Sequence, residues 1–159
     1  MTHRILFVCH GNICRSPMAE YVMKDLVEKR GLSDEFEIES CATSTEEIGS
    51  DVYPPARAEL EKHGVRCGHR RARQITQQDV SHFDHIVAMD SFNLRNISRL
   101  TPYDHEGRIR LLMDFAGEHR DVEDPWYTGD FSKAYEDILK GCQALLDSLV
   151  RVTRQGTVP

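Results

Sequence analysis

Near its N-terminus the chain reads Ile5-Leu6-Phe7-Val8-Cys9-His10-Gly11-Asn12-Ile13-Cys14-Arg15-Ser16-Pro17. The first four of these residues form an apolar run that is typical of a buried strand, and the residues after Pro17 have the apolar spacing of a helix. The sequence therefore predicts a strand, a tight loop and a helix in succession. Ser16 is predicted as the helix N-cap, with Pro17 at the first helical position.

The loop between this strand and this helix contains the parts of an anion site. Backbone N–H groups at the start of a helix attract anions, and they favour the thiolate form of a Cys in the same place. The guanidinium of Arg15 can hold two phosphate oxygens at once. Cys9 and Arg15 are therefore the predicted nucleophile and phosphate clamp. The predicted substrate-binding residues of the loop are His10, Gly11, Asn12, Ile13, Cys14 and Ser16.

Residues 9–17 fit the pattern Cys-x-Gly-Asn-Ile-Cys-Arg-Ser-Pro, which resembles the signature of the low-molecular-weight protein tyrosine phosphatases. A shorter C-x5-R match would be weak, but nine residues at a strand-to-helix junction are specific. The alternative is a buried Cys near an unrelated surface Arg. The resemblance implies a four-stranded sheet of order 2-1-3-4 and hydrolysis of phosphotyrosine or small aryl phosphates by a phosphatase that carries the phosphate on cysteine.

The rest of the chain alternates between strand and helix patterns. Strand patterns follow at residues 36–41, 84–89 and 108–113, with helical patterns at 17–30, 54–63, 76–83, from 90 onward and after 130. Four strands separated by helices predict a doubly wound α/β fold with a parallel sheet. With only 159 residues, the whole chain is expected to form a single phosphatase domain over residues 1–159. Residues 114–130 are predicted as the longest loop.

A second motif, Asp124-Pro125-Trp126-Tyr127, supplies a candidate proton donor. Proline restricts the residue before it to extended backbone, which can turn the Asp124 carboxylate away from its own loop. Most Asp-Pro dipeptides are plain turns. Beside the Cys9 loop, however, this one resembles the segment that carries the general acid of the same family. Trp126 and Tyr127 are then predicted to bind the substrate as walls for a phenyl ring.

Composition excludes several other classes of function. The net charge of −6 argues against a general nucleic-acid binder, and no apolar run approaches a membrane span. Five cysteines without a CxxC pair favour a reducing, cytoplasmic location over a disulfide framework or a zinc site. No cofactor is expected. The predicted partners are phosphotyrosine-containing proteins and oxyanions such as phosphate, and the chain is expected to be a monomer or a weak homodimer.

Several residues around the loop have less certain assignments. Ser40 is a loop-bracing hydroxyl only by the resemblance, and Cys14 is either a buried filler or, as the family implies, a redox partner of Cys9. His10 stands where the family usually has an apolar residue. Glu46 stands where some members have a pocket aromatic, so the pocket is expected to be more open and to repel acidic phosphopeptides. Most of the arginines in the basic segment 65–74 are expected on a solvated surface.

Three rival functions remain to be separated. Arsenate reductases with this loop need two more cysteines near the third strand, and residues 76–100 contain none. Protein-arginine phosphatases of the same fold carry Thr at the position of Ile13, so an aryl phosphate is favoured here. A phosphate-binding module without turnover would need neither the nucleophile nor the acid.

Overall fold

A computed structural model describes residues 2–102 and 107–157, with side chains as far as Val150. Its centre is a four-stranded parallel sheet of order β2-β1-β3-β4, so the predicted fold class and strand order are confirmed. The strands are β1 (His3–Cys9), β2 (Phe36–Ala42), β3 (His85–Ala88) and β4 (Ile109–Leu111).

Seven helices in the described ranges surround the sheet. They are α1 (Arg15–Lys29), α2 (Pro54–Lys62), α3 (Gln77–His82), α4 (Ser91–Leu100), α5 (Leu112–Phe115), α6 (Pro125–Thr128) and α7 (Phe131–Thr157), with a short 3-10 turn at Ser33–Glu35. None of those that the structure describes is both long and apolar enough to cross a membrane.

The central strand β1 is covered on both faces. Ile5 and Phe7 point into a core formed mainly with α1 and α7, whereas Leu6 and Val8 point into a second core with α3 and α4. All four side chains are completely buried. Because successive side chains of a strand alternate between faces, burial on both faces requires the unbroken apolar run seen in the sequence. The carboxyl end of β1 therefore opens onto the Cys9 loop from a rigid base.

Helix α1 begins earlier than predicted. Its first residue is Arg15 and its N-cap position is Cys14, so the prediction of Ser16 as N-cap was wrong. The Ser16 hydroxyl is instead occupied by tertiary contacts behind the loop. The other end is as expected: Gly31 has φ of +69° and donates to the Glu28 carbonyl, while Leu32 donates to that of Val27. This pair of bonds is a Schellman C-cap.

The region after β4 differs most from the prediction. β4 ends at Leu111 because Leu112 and Met113, which were expected in the strand, begin α5. The predicted long loop 114–130 therefore contains the end of α5 and the short helix α6. A Cβ atom on Gly141 of α7 would lie 2.4 Å from Cγ of Leu112, so this glycine allows α5 to pack closely against α7.

Side-chain caps fix the two helices on either side of β3 along the chain. Thr76 and Asp79 form a capping box on α3, as predicted, and Asp90 forms one with Asn93 on α4. Each box satisfies two N–H groups that the helix itself cannot. The α4 box places Asp90 at the carboxyl end of β3, beside the Cys9 loop.

Candidate active site

The thiol of Cys9 lies at the base of the loop and is surrounded by hydrogen-bond donors. The backbone N–H groups of Asn12 and Ser16 point at its Sγ, at 3.3 Å and 3.4 Å. The Ser16 hydroxyl lies 3.0 Å from the same sulfur. Since Asn12 Nδ2 donates to that hydroxyl at 2.8 Å, the hydroxyl hydrogen is free to donate to Cys9. Three hydrogen-bond donors therefore converge on one sulfur.

The loop backbone presents further donors that no described residue accepts from. Within the described part of the chain, the N–H groups of Gly11, Ile13, Cys14 and Arg15 donate to no protein acceptor. Buried or half-buried N–H groups are nearly always paired, so unpaired donors on successive residues indicate a ligand that accepts from them. Their place at the first turn of α1 adds the positive end of the helix dipole, which favours an anion.

Arg15 is the charged wall of the site. It is 2% exposed, and its Nη1 donates to Asp90 at 2.7 Å and to the Val122 carbonyl at 2.9 Å. Nη2 donates to Asp124 at 3.3 Å. A guanidinium has five N–H groups, so two remain, on Nε and Nη2, in the fork that matches two phosphate oxygens. Burial lowers the pKa of Arg15, but the charges of Cys9, Asp124 and Asp90 outweigh it and the net pKa is raised.

Asp124 lines the same cleft as Cys9, so the structure brings the predicted proton donor and nucleophile together. Its backbone is extended, with φ of −79° and ψ of 112°, because Pro125 follows it. One carboxylate oxygen caps α6 by accepting from the Trp126 N–H at 3.0 Å, and the other accepts from Arg15. The side chain is 23% exposed. It is therefore oriented by two contacts and still open to the cleft.

A cleft lies above Cys9, with a volume of about 520 Å³ that includes space open to solvent. All but two of the predicted site residues line it. Asn12 and Ser16 do not line it, since both are fully buried behind the loop. Trp126 and Tyr127 form the outer wall and are 51% and 82% exposed. The lining residues are Cys9, His10, Gly11, Ile13, Cys14, Arg15, Glu46, Glu47, Asp124, Trp126 and Tyr127.

The rim of this cleft is acidic. Glu46 lines it, as inferred for the missing aromatic, and pairs with His10 at 2.9 Å. Glu47 also lines it, although no motif in the sequence marked that residue. A wider groove, of about 1190 Å³ including space open to solvent, shares Arg15, Asp124 and Tyr127 with the cleft. Its further lining includes Asp121, Glu123 and the 65% exposed ring of Phe92.

Cys14 differs from Cys9 although both are in the loop. It is 4% exposed, and burial together with the neighbouring charges of Cys9 and Asp124 raises the pKa of its thiol well above the usual range. Cys14 is therefore a neutral thiol at ordinary pH. All five cysteines are free, and a redox pairing of Cys9 with Cys14 stays a prediction.

The basic segment 65–74 is only partly a solvated surface. Arg66 and Arg71 are exposed, but Arg73 donates to Asp79 at 2.8 Å and Arg70 donates to the Asn12 carbonyl at 2.7 Å. The expectation of solvated arginines was therefore wrong for Arg70 and Arg73. Side-chain charge along a sequence does not reveal which residues find a buried carbonyl or carboxylate.

Comparison with known proteins identifies the family. A family model described as low molecular weight phosphotyrosine protein phosphatase matches residues 4–155. The low molecular weight protein-tyrosine-phosphatase YfkJ of Bacillus subtilis is 36% identical over 147 residues, which cover 91% of this chain and 94% of YfkJ. Its crystal structure superposes with a TM-score of 0.91 at 35% identity, covering 95% and 96% of the two chains.

Two other solved structures bear on the chemistry. A Drosophila arginine phosphatase has a TM-score of 0.82 at 35% identity, with 91% of this chain and 96% of that one covered. Vibrio vulnificus Wzb, solved in complex with benzylphosphonate, has a TM-score of 0.82 at 25% identity, with coverage of 93% and 99%. The present chain belongs to the low molecular weight phosphotyrosine protein phosphatase family and is an enzyme of that class.

Proposed function

We propose that this protein hydrolyses phosphotyrosine, in proteins or as small aryl phosphates, through a phosphocysteine on Cys9. The observation that carries the proposal is the donor set around one buried sulfur. Three donors point at Cys9, and four unused loop N–H groups and two unused Arg15 N–H groups lie around it. Such a set suits a dianionic phosphoryl group, whose charge it neutralises without a metal.

In the first step the Cys9 thiolate attacks phosphorus while Asp124 gives its proton to the phenolic oxygen. The S–P bond forms and the P–O bond to the phenol breaks. Because a free phenol has a pKa of about 10, protonation makes its departure much easier. In the second step the Asp124 carboxylate takes a proton from water, the water oxygen attacks phosphorus, and the S–P bond breaks to release inorganic phosphate.

The shape of the cleft supports an aryl substrate. Trp126 and Tyr127 stand beside Asp124, and Trp126 packs against the ring of Tyr53 at a centroid distance of 4.9 Å. Two flat, exposed rings at the mouth provide faces for a phenyl ring, and Ile13 adds an apolar contact on the loop side.

The test is hydrolysis of phosphotyrosine by wild type, Cys9→Ser and Cys67→Ser in the presence and absence of a chelator. We expect activity in wild type and in Cys67→Ser, which lies outside the cleft, and none in Cys9→Ser. The chelator should change nothing. Rapid acid quench of the wild type should trap phosphate on Cys9. Wild-type turnover in Cys9→Ser, or phosphate trapped elsewhere, would refute the mechanism.

One structural neighbour is named an arginine phosphatase, which makes phosphoarginine the second substrate to measure. We expect kcat/KM for phosphotyrosine to exceed that for phosphoarginine. An Ile13→Thr variant tests the role of this side chain, because it replaces the ethyl group on Cβ by a hydroxyl while keeping the methyl and the branch at Cβ. The substrate with the higher kcat/KM in the wild type shows which of the two activities predominates.

Among the predicted partners, phosphorylated substrates and oxyanions follow from the family. A cytoplasmic location and a monomeric or weakly dimeric state stay predictions. Sedimentation at several protein concentrations tests the second of these.

A further inference from the structure

Behind the loop, buried polar side chains form a connected network that ends in two charges. Asn12 lies at its centre, with Ser16 on the side of Cys9 and Ser40 on the far side. The charged ends are Glu20 on α1, which is 8% exposed, and Arg70 in the segment after α2. The donors and acceptors in this network determine which way the Asn12 amide faces.

Arg70 fixes the oxygen end of that amide. Its Nη1 donates to the backbone carbonyl of Asn12 at 2.7 Å, and its Nη2 donates to the side-chain oxygen, Asn12 Oδ1. The Arg73 N–H donates to the same Oδ1 at 3.3 Å. A guanidinium has no acceptor, so the Asn12 atom that faces Arg70 must be the oxygen. Nδ2 is thereby turned towards the two serines.

Glu20 fixes the serine on the far side. Its Oε1 accepts from Ser40 Oγ at 2.5 Å, and its Oε2 accepts from Lys24 at 2.6 Å. A carboxylate can only accept, so the single hydroxyl hydrogen of Ser40 is committed to Glu20. Ser40 Oγ must then be the acceptor in its other two contacts, from Asn12 Nδ2 at 3.0 Å and from Arg70 Nη2 at 3.4 Å.

The remaining amide hydrogen of Asn12 goes to Ser16 at 2.8 Å, which leaves the Ser16 hydroxyl hydrogen for Cys9 at 3.0 Å. The other acceptor near it, the Cys41 carbonyl, is farther away at 3.4 Å. If the Asn12 amide were turned over, its oxygen would compete for this hydrogen and its NH2 would face the donors of Arg70. Every link in the observed direction is satisfied, whereas the reversed direction is not.

We propose that Glu20 and Arg70 are positioning residues that fix the orientation of the Asn12 amide and thereby make Ser16 donate a hydrogen bond to the Cys9 sulfur. The proposal rests on Cys9 being the nucleophile. Arg70 also lies within electrostatic reach of the site. Burial lowers its pKa, while the charges of Glu20, Tyr21, Cys9 and Asp51 act in the opposite direction.

The variants are chosen to separate this role from simple support of the fold. Arg70→Met removes all donors at nearly constant length, and Arg70→Lys restores a donor and the charge. Glu20→Met removes the acceptor, whereas Glu20→Gln keeps a carbonyl oxygen that can accept from Ser40. Arg57→Met is the matched control. Arg57 holds the same segment through the Cys67 and Gly68 carbonyls but makes no hydrogen bond to residues 9–16.

The main measurement is the rate at which iodoacetamide alkylates Cys9 as a function of pH, followed at that peptide by mass spectrometry. Losing one hydrogen bond to the thiolate should raise the pH midpoint by about one unit, which is about tenfold less thiolate below the midpoint. We expect this rise in Arg70→Met and Glu20→Met, a smaller one in Arg70→Lys and Glu20→Gln, and none in Arg57→Met. Thermal unfolding measured alongside reports any loss of stability.

Alkylation requires no turnover, so this result does not depend on whether phosphotyrosine proves to be the substrate. If Arg70→Met does not fold, Glu20→Met and the two conservative variants measure the same effect. An unchanged midpoint in folded Arg70→Met or Glu20→Met would overturn the proposal. So would an equal shift in Arg57→Met, because it would reveal a general loss of structure.

Discussion

At the scale of single residues, the site uses atoms that many proteins would keep paired. The carboxylate of Asp124 is divided between the α6 N-terminus and Arg15, and this division holds it over the cleft. Four backbone N–H groups of residues 11–15 have no acceptor among the residues that the structure describes. In the absence of an anion these unpaired donors cost stability, which binding of a phosphoryl group restores.

Replacing Asp124 by Asn tests the proton donor. The amide keeps the shape and can still accept from the Trp126 N–H, but it gives no proton to the leaving phenol. We expect kcat for phenyl phosphate to fall by roughly 100- to 1000-fold. For an aryl phosphate with a strongly electron-withdrawing substituent the loss should be much smaller, because that phenolate leaves unaided. Equal losses for both substrates would show that Asp124 has another role.

Replacing Arg15 by Lys tests the two-oxygen clamp. Lysine keeps the charge but loses the planar fork, and it cannot serve Asp90, Val122 and the phosphate together. We expect kcat/KM to fall at least 100-fold, about 2.7 kcal/mol or more of transition-state stabilisation. Binding of inorganic phosphate, measured by calorimetry, should weaken in parallel. Activity within a few fold of wild type would mean that point charge alone is sufficient.

At the scale of secondary structure, pattern and capping chemistry predicted most elements. The β1 run, the Gly31 stop and the Thr76–Asp79 box follow from local sequence rules, and the structure shows each of them. The start of α1 did not follow such rules, because the Ser16 hydroxyl bonds to Cys9, Asn12 and the Cys41 carbonyl instead of capping its helix. The same limit hid Arg70, whose acceptor lies 58 residues earlier. Local rules place elements, whereas only the fold brings such partners together.

The capping box on α3 should contribute stability without affecting catalysis. Thr76 Oγ1 accepts from the Asp79 N–H at 3.2 Å. Thr76→Ala removes this acceptor and should lower the free energy of unfolding in urea by about 1 kcal/mol. Thr76→Ser keeps the acceptor and should lose much less. Phosphatase activity should stay within twofold in both variants, and a large loss of activity would show that α3 supports the site directly.

The stability that Asp79 contributes at the start of α3 is expected to depend on pH. Burial raises the pKa of Asp79, but bonds from Arg73 and Thr76 outweigh it and hold the pKa below its ordinary value. A carboxyl group with a lowered folded pKa stabilises the protein above its unfolded pKa of about 4 and loses that contribution as the pH falls further. Asp79→Asn should therefore cost more stability at pH 7 than in acid, by urea unfolding. The exposed Asp34→Asn is the control, and a cost independent of pH would contradict the assignment.

At the scale of the whole molecule, one strand joins everything that the site needs. β1 is buried in both cores and ends at Cys9, so residues 1–159 are expected to fold as one domain around it. The net charge of −6 sets a second, long-range condition, because it opposes the approach of an anionic substrate. The total charge and the position of Glu46 at the pocket could both be inferred from the sequence. The sequence did not predict Glu47, Asp121 and Glu123, since they come from loops that only the fold places around the cleft.

The acidic residues around the cleft predict a preference among phosphopeptides. Peptides with basic residues beside phosphotyrosine should be hydrolysed with higher kcat/KM than peptides with acidic ones, and added salt should narrow the difference by screening. Glu46→Gln should reduce the ratio of kcat/KM between basic and acidic peptides by roughly 1.5- to 5-fold, which is the effect expected from one exposed ion pair. Glu28→Gln is the charge-matched control, because it lies about 20 Å along α1 from Arg15 and is screened from the cleft at ordinary salt. If both variants shift the preference equally, net charge alone sets the selectivity; if neither does, the rim carboxylates do not contact the flanking residues.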